Sequence, residues 1–403
     1  MKTLICLILV FLIVGKIHSQ ARYYKAQMHC HSTNSDGNYT PQELVEKYKN
    51  SGYEIIMITD HNYLTLSSEV NVPGVLIIQS EEITFDRHWN GFFLNDQIIP
   101  TENYTCQEAI DAVRLQGGLI QLNHYRKGLF SPASWAANSA DILAFENGPD
   151  FLEIWNTGTE LTQTNDDKSV WDSVLTAGKI VWGSATDDFH PSTIEYLEYN
   201  KEWNMIWLDS LCPLNVYNSL KEGKFYASTG VEISRYEVTD GGTYKEIYIE
   251  SPNAQKIAFC GPNHQKLIEF NSNTATFILS NHDYVRAELI KSGFLGTNTQ
   301  YAWTQPVFLH QQSTTELAEN YIKGLSIYPN PAQNIIFIKN SNSNNKINSI
   351  SVFNNSGICL YKNRNIINDI HLISTENWAS GVYTFLIEFE NKNILRKNIS
   401  VIN

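Results

Sequence analysis

The chain is predicted to be an α/β protein: a (β/α) barrel followed by two small all-β modules. Three observations predict this. In the first half, short apolar and β-branched runs alternate with amphipathic helical segments. Metal-type side chains stand at the C-terminal ends of successive runs, where a (β/α) barrel gathers its active site. Beyond about residue 235 the helical spacing gives way to short strands separated by Asn, Ser, Pro and Gly turns.

In chain order, Met1-Lys2 precedes an apolar run from Leu4 to Val14, with small or polar residues through Ser19. The run is too short to span a bilayer, so residues 1–19 read as a secretory signal peptide cleaved before Gln20. No later stretch has membrane length. Next comes His29-Cys30-His31. In a strand, residues i and i+2 share a face, so two imidazoles converge on one side. Such a pair alone weighs evenly against an ordinary histidine pair; the ligands that follow tip the balance. Cys30, between them, reads as a small buried apolar residue.

Thr40-Pro41-Gln42-Glu43 opens a helix: Thr40 suits the N-cap, Pro41 the first position and Glu43 the first turn. Glu54 to Thr59 reads as a buried strand ending at Asp60-His61. Val75 to Ile78 follows Pro73-Gly74 and ends near Glu81-Glu82. The helix from Cys106 to Leu115 closes at Gly117, and Leu119 to Leu122 ends at Asn123-His124. Phe151 to Trp155 ends at Asn156, and Lys179 to Gly183 leads to Asp187-Asp188-Phe189-His190. Trp155, Trp171, Trp182, Trp203 and Trp207 read as core or pocket wall.

The stretches His29-Cys30-His31-Ser32 with Ser35-Asp36-Gly37, Ile58-Thr59-Asp60-His61-Asn62, Glu82-Ile83-Thr84 and Asp188-Phe189-His190 together resemble the PHP (polymerase and histidinol phosphatase) superfamily of metal-dependent phosphoesterases. The likeness covers roughly residues 22–235, and four motifs in order are specific. It implies a distorted (β/α)7 barrel with two or three divalent metals. It further implies that His29, His31, Glu82 and Asp188 hold one metal, and that Glu82 bridges to a second held by His88 and His124. Asp36, His61 and His190 would surround a third position, where several relatives have a histidine for Asp36. Glu81 and Asp187 adjoin Glu82 and Asp188, and spacing alone leaves a swap open; the family pattern favours Glu82 and Asp188.

Mixed imidazole and carboxylate ligands suit Mn²⁺, Zn²⁺ or Fe²⁺ better than Mg²⁺ or Ca²⁺. Two cations about 3.5 to 4 Å apart on a bridging carboxylate activate a shared water and clamp phosphoryl oxygens. The expected reaction is therefore hydrolysis of a small phosphomonoester or phosphodiester by a metal-activated hydroxide, with Glu82 as the bridge. His190 or Asp60 would manage proton transfer or orient a ligand histidine; a capping or orienting role for Asp60 is the stronger reading. Arg126 and Lys127 read either as phosphate-binding cations or as a solvated loop pair. Two alternatives remain in view, a metal-dependent amide or lactone hydrolase and a catalytically inactive surface binding protein.

The formal net charge of −13 and a pI near 5.3 argue against gripping duplex nucleic acid. Five cysteines remain after the signal, namely Cys30, Cys106, Cys212, Cys260 and Cys359, and their spacing describes no disulfide scaffold. Residues 236–310 read as a β-sandwich-like module in which His264 and His282 are surface residues. Residues 311–323 read as a linker. From 324 to 403, Tyr328-Pro329-Asn330-Pro331 and Ser380-Gly381-Val382-Tyr383 resemble the C-terminal sorting domain of the type IX secretion system of Bacteroidota. That resemblance implies handling by the type IX machinery, export across the outer membrane, and release or attachment at the cell surface.

Overall fold

The computed structural model describes residues 21–125, 136–156, 166–190, 199–293, 299–310, 325–340, 346–354, 358–364, 366, 370–390 and 394–402. The expected signal peptide, the expected linker and the Arg126-Lys127 pair lie outside the described residues. Among the described residues no helix is long and apolar enough to cross a membrane, and the five cysteines are free.

Local signals set the first elements. Strand β1 (Arg22–Gln27) leads into helix α1 (Pro41–Asn50), where the Thr40 side chain accepts from Glu43 N and the Glu43 side chain answers Thr40 N, a reciprocal capping box. Strands β2 (Ile55–Ile56), β3 (Leu76–Ile77), β4 (Ser80–Thr84) and β5 (His88–Phe92) follow. Helix α2 (Cys106–Leu115) starts on the same kind of box at Thr105 and Glu108 and precedes β6 (Leu119–Leu122). Gly117 takes φ 77° just past the helix, a conformation that glycine adopts without a Cβ clash. Helix α3 (Ser139–Ala144), β7 (Phe151–Asn156), α4 (Asp166–Thr176), β8 (Trp182–Thr186), β9 (Trp203–Leu208), α5 (Pro213–Lys221) and β10 (Phe225–Ser228) complete this part.

The strands divide between two sheets. One contains β10-β9-β1-β2-β3 in that order, the other β4-β5-β6-β7-β8. Isolated bridges, His61 with Glu82 and Cys30 with Phe189, join them at the ligand positions. The expected uniform strand–helix alternation does not hold. β4 and β5 are an antiparallel hairpin, and β1, β9 and β10 also pair antiparallel. Only Phe85-Asp86-Arg87 separates β4 from β5, far too few residues for the crossover that parallel strands need.

Strands β11 (Arg235–Asp240), β12 (Lys245–Glu250), β13 (Lys256–Gly261), β14 (Gln265–Phe270), β15 (Thr274–Leu279), β16 (Tyr284–Lys291), β17 (Gln300–Thr304) and β18 (Val307–Phe308) follow. β11-β12-β15 form a separate sheet, whereas β17 pairs with β10, so β14-β13-β16-β17 continue the sheet that contains β1. Hydrogen bonding thus runs through the boundary expected near residue 235. A buried ion pair reinforces this: Arg286 Nε and Nη2 donate to Asp172 of α4 at 2.9 and 2.6 Å. His264, expected at the surface, lies with Nδ1 2.6 Å from Asp172 Oδ2.

The last unit holds β19 (Leu325–Gln333), β20 (Ile335–Asn340), β21 (Ile347–Phe353), β22 (Cys359–Arg364), β23 (Ile370–Ser374), β24 (Gly381–Phe389) and β25 (Ile394–Val401). They form one sheet in the order β22-β21-β24-β25-β19-β20-β23 around a core that includes Ile338, Ile350, Val352, Phe385 and Ile387.

Candidate metal centre

His29 and His31 lie just past the end of β1, both fully buried, with ring centroids 5.2 Å apart. Around them the other strand ends deliver carboxylates and imidazoles. His29 Nε2 is 3.4 Å from Glu82 Oε1 and 3.0 Å from Asp188 Oδ1. His31 Nε2 is 3.6 Å from Glu82 Oε2 and 3.3 Å from Asp188 Oδ1. Glu82 also meets His61 Nδ1 at 2.9 Å, His88 Nδ1 at 3.1 Å and His124 Nε2 at 3.4 Å. Asp36 Oδ2 is 3.6 Å from both His61 Nε2 and His190 Nε2, and His190 stacks on His31 at 3.9 Å between centroids.

Four overlapping groups of side chains could hold a metal ion: His29, His31 and Asp188; His29, Glu82 and His124; His61, Glu82 and His88; and His31, Asp36, His61 and His190. All nine candidate ligands read from the sequence are brought together. The grouping differs in detail from that implied by resemblance, since His124 sits with His29 and His61 with His88, while Glu82 is shared. The donor set itself fits a cation. His29 Nε2, His31 Nε2, Glu82 Oε2 and Asp188 Oδ1 are buried and have no hydrogen-bond partner among the described residues. Buried polar atoms are ordinarily satisfied, so four converging exceptions mark a place built for another group.

Electrostatics support the same conclusion. Burial alone would raise the Glu82 carboxyl, yet His88 and His29 hold it well below its usual range. Asp188 behaves alike, burial being overcome by His29 and His190. Burial opposes protonation of His29, but Asp188, Glu82 and Glu153 raise it well above its ordinary value. His61 is pushed up to about 10, against burial, by Asp36 and Glu82. His31 falls to about 4 through burial and the neighbouring His190.

The structure separates the ambiguous acidic pairs. Glu82 points into the cluster, whereas Glu81 accepts from Ile98 N at 2.6 Å and burial pushes its carboxyl up to about 8. Asp187 accepts from the main-chain N–H groups of Asn200, Lys201 and Glu202 at 2.8, 2.8 and 2.9 Å, so it anchors a loop while Asp188 faces the histidines. Asp60 is buried with both oxygens occupied: Ser32 N and Ser35 Oγ donate to Oδ1, Ser32 Oγ and Thr65 Oγ1 to Oδ2. These four bonds tie Asp60 to the Ser32–Ser35 turn and to Thr65. Cys30 is buried with Sγ toward Met57 O.

Sequence reasoning missed Glu153, Asn123 and Thr84. Glu153 Oε1 lies 2.8 Å from His29 Nδ1, and Oε2 accepts from His124 N at 2.6 Å. Asn123 Nδ2 donates to Glu82 Oε1 at 2.8 Å, and Thr84 Oγ1 lies 2.6 Å from His61 Nδ1. Such partners orient ligands and fix imidazole tautomers. The available signal was a glutamate inside an otherwise apolar strand. His124 and Asp188 have φ of 22° and 49°, conformations that non-glycine residues hold only where surroundings enforce them.

Residues 326–401 match a family model described as a secretion system C-terminal sorting domain. The C-terminal unit is a sorting domain. Two uncharacterized proteins of Methanocaldococcus jannaschii are similar to this chain. One is 37% identical over 101 residues, which is 25% of this chain and 39% of that protein. The other is 28% identical over 148 residues, covering 33% of this chain and 81% of that protein. The chain therefore spans less than half the length of the first. Among solved structures, a two-domain protein from Bacteroides vulgatus containing a predicted PHP-like metal-dependent phosphoesterase is similar at 16% identity and TM-score 0.42, covering 71% of this chain and 96% of that one. An amidohydrolase from Chromobacterium violaceum is similar at 13% identity and TM-score 0.32, covering 50% and 96%.

Proposed function

We propose that this protein is an exported metal-dependent hydrolase acting on small phosphomonoesters or phosphodiesters. The observation that carries the reading is the convergence of buried His29 Nε2, His31 Nε2, Glu82 Oε2 and Asp188 Oδ1, which lie within ion-pair reach of one another yet make no aligned hydrogen bond. His29, His31, Asp188, His124, His61 and His88 would hold divalent metals with Glu82 shared between them, and Asp36 and His190 would serve the more open position. Divalent metals bound there supply Lewis acidity, lowering the pKa of water and offsetting charge on phosphoryl oxygens. The protein's own groups do the rest. Glu153, Asn123 and Thr84 keep the ligands oriented, and Asp60 holds the turn that carries Ser32 to Ser35. His190 is about one-third exposed with its Nδ1 2.8 Å from the Asp188 carbonyl, which leaves Nε2 as the atom facing the open position beside Asp36. The sorting domain supports export, and we assign that export to the type IX machinery.

A second reading, amide or lactone hydrolysis, draws on one feature: the carboxylates of the cluster pair with histidines alone among the described ion pairs. The test is hydrolysis of p-nitrophenyl phosphate and bis-p-nitrophenyl phosphate by the full chain after chelation and reconstitution with Mn²⁺, Zn²⁺, Fe²⁺ or Mg²⁺, with metal content measured in parallel. Metal-restored phosphate release supports the proposal. Bound metal with turnover only of a lactone or amide transfers the assignment to the second reading.

A further inference from the structure

Among the described residues the strand that leads to Asp188 has a strand neighbour on one side only. β7 pairs with one edge of β8, and among the described residues no main-chain ladder joins the other edge to β9 or β1. Alternate residues of a strand present their N–H and C=O groups to the same side, so Gly183, Ala185 and Asp187 all face this gap. Each is met by a buried carboxamide. Gln305 Oε1 accepts from Gly183 N and its Nε2 donates to Gly183 O, both at 2.8 Å. Asn204 Oδ1 accepts from Ala185 N at 3.2 Å and its Nδ2 donates to Ala185 O at 2.9 Å. Gln27 Oε1 accepts from Asp187 N at 3.3 Å, and also from Met28 N and His29 N at 3.0 and 3.2 Å.

A carboxamide offers the same donor and acceptor as a peptide unit, so Gln305 and Asn204 each stand in for one, while Gln27, whose Nε2 donates to Glu202 O at 3.2 Å, supplies the acceptor alone. One step further on, the main chain resumes, with Asp188 N donating to His29 O at 3.1 Å and His31 N to Phe189 O at 3.2 Å. The carboxamide series therefore ends on the contact between the two ligand segments.

We propose that Gln305, Asn204 and Gln27 are positioning residues of the metal centre, setting Asp188 against His29. Gln305 lies between β17 and β18, so the unit after residue 235 is part of the ligand-holding body. The proposal rests on reading the His/Asp/Glu cluster as a metal site.

The test is Co²⁺ titration of the chelated full chain, followed by the visible absorption of the bound ion, for the parent, Gln305→Met, Gln305→Glu and Asn204→Leu. Ile257→Ala, a buried position in the same unit, is the packing control. Thermal melts report folding. Gln305→Met removes both contacts to Gly183; Gln305→Glu keeps the length and the acceptor but leaves Gly183 O without a donor. The expected result is Co²⁺ binding weakened about tenfold or more in Gln305→Met and Asn204→Leu, with a changed absorption band and Gln305→Glu in between. Ile257→Ala should melt earlier with an unchanged band. If Gln305→Met does not fold, the comparison is read on Gln305→Glu. Parent-like affinity and band in the folded Gln305 variants, or an equal change in Ile257→Ala, would overturn the proposal. A parent that binds no Co²⁺ overturns the metal-site reading itself, and this proposal with it.

Discussion

Glu153→Gln changes one atom and should disable the centre without touching a ligand. The side chain is 2% exposed and receives four donors on two oxygens. His29 Nδ1 and Thr186 Oγ1 meet Oε1; His124 N and Asn156 Nδ2 meet Oε2 at 2.6 and 3.0 Å. A glutamine must turn an NH₂ toward one of these pairs, so two donors face a donor whichever way the amide lies. Facing His29, it forces the imidazole proton onto Nε2, the atom aimed at the cluster, and removes that lone pair from ligation. Facing His124, it strips the acceptor from a residue with left-handed backbone. One buried unsatisfied group costs about 1–3 kcal/mol, so the two lost contacts should destabilise the metal-free protein by about 2–6 kcal/mol. Misorienting one ligand should weaken metal binding about 10–100-fold. Calorimetric titration of chelated protein with Zn²⁺ or Mn²⁺, beside urea melts, measures both. Parent-like affinity in a folded Glu153→Gln protein would refute the claim that this carboxylate sets the ligand geometry.

Other predictions follow from the same contacts. Glu82→Gln should lose metal and hydrolysis while the chain stays folded, whereas Glu81→Gln should keep both; metal analysis of the two purified variants decides. Glu81 is raised by burial to about 8 from an ordinary value of 4.5. Between those values the folded state holds a proton that the unfolded state has lost, so stability falls as pH rises through that window. Glu81→Gln should therefore gain stability over the parent increasingly from pH 5 to 8 in denaturant melts, and equal pH profiles would contradict this. Asp172→Asn strands Arg286, whose side chain is fully buried, and should cost about 3–5 kcal/mol in urea unfolding; a loss under about 1 kcal/mol would show the pair to be dispensable. A Cβ on Gly37 would stand 2.3 Å from His31 O, so Gly37→Ala should displace Asp36 and lower metal stoichiometry, a change read by elemental analysis.

Much of the site was legible because ligand chemistry is written in residue types. His29, His31, Glu82, Asp188 and the other candidates stand at the ends of apolar runs, and the runs at Leu119–Leu122 and Phe151–Asn156 became strands. Capping at Thr40 was equally local, its box closing within three residues. Less legible was everything that joins distant segments. Nothing in the spacing of Glu153 says that its oxygens reach His29 and His124, and nothing near Asp172 announces Arg286.

By itself the sequence determined the amphipathic helices, the apolar runs, the inventory of imidazoles and carboxylates, and the sorting-domain motifs, because each depends on side chains within a few residues of one another. Only the tertiary structure decided which of two adjacent acids enters the cluster. Successive residues of a strand face opposite sides, so Glu82 and Glu81 exchange roles with a one-residue change of register. It also decided that β4 and β5 form a hairpin and that the sheet containing β10 takes up β17 from beyond residue 235. Sheet order depends on which open edge a strand meets, and a pairing such as β10 with β17 is made between segments more than seventy residues apart. The cluster itself is of that kind: buried charges at His29, Glu82 and Asp188 are tolerable only because the folded chain brings them within reach of one another.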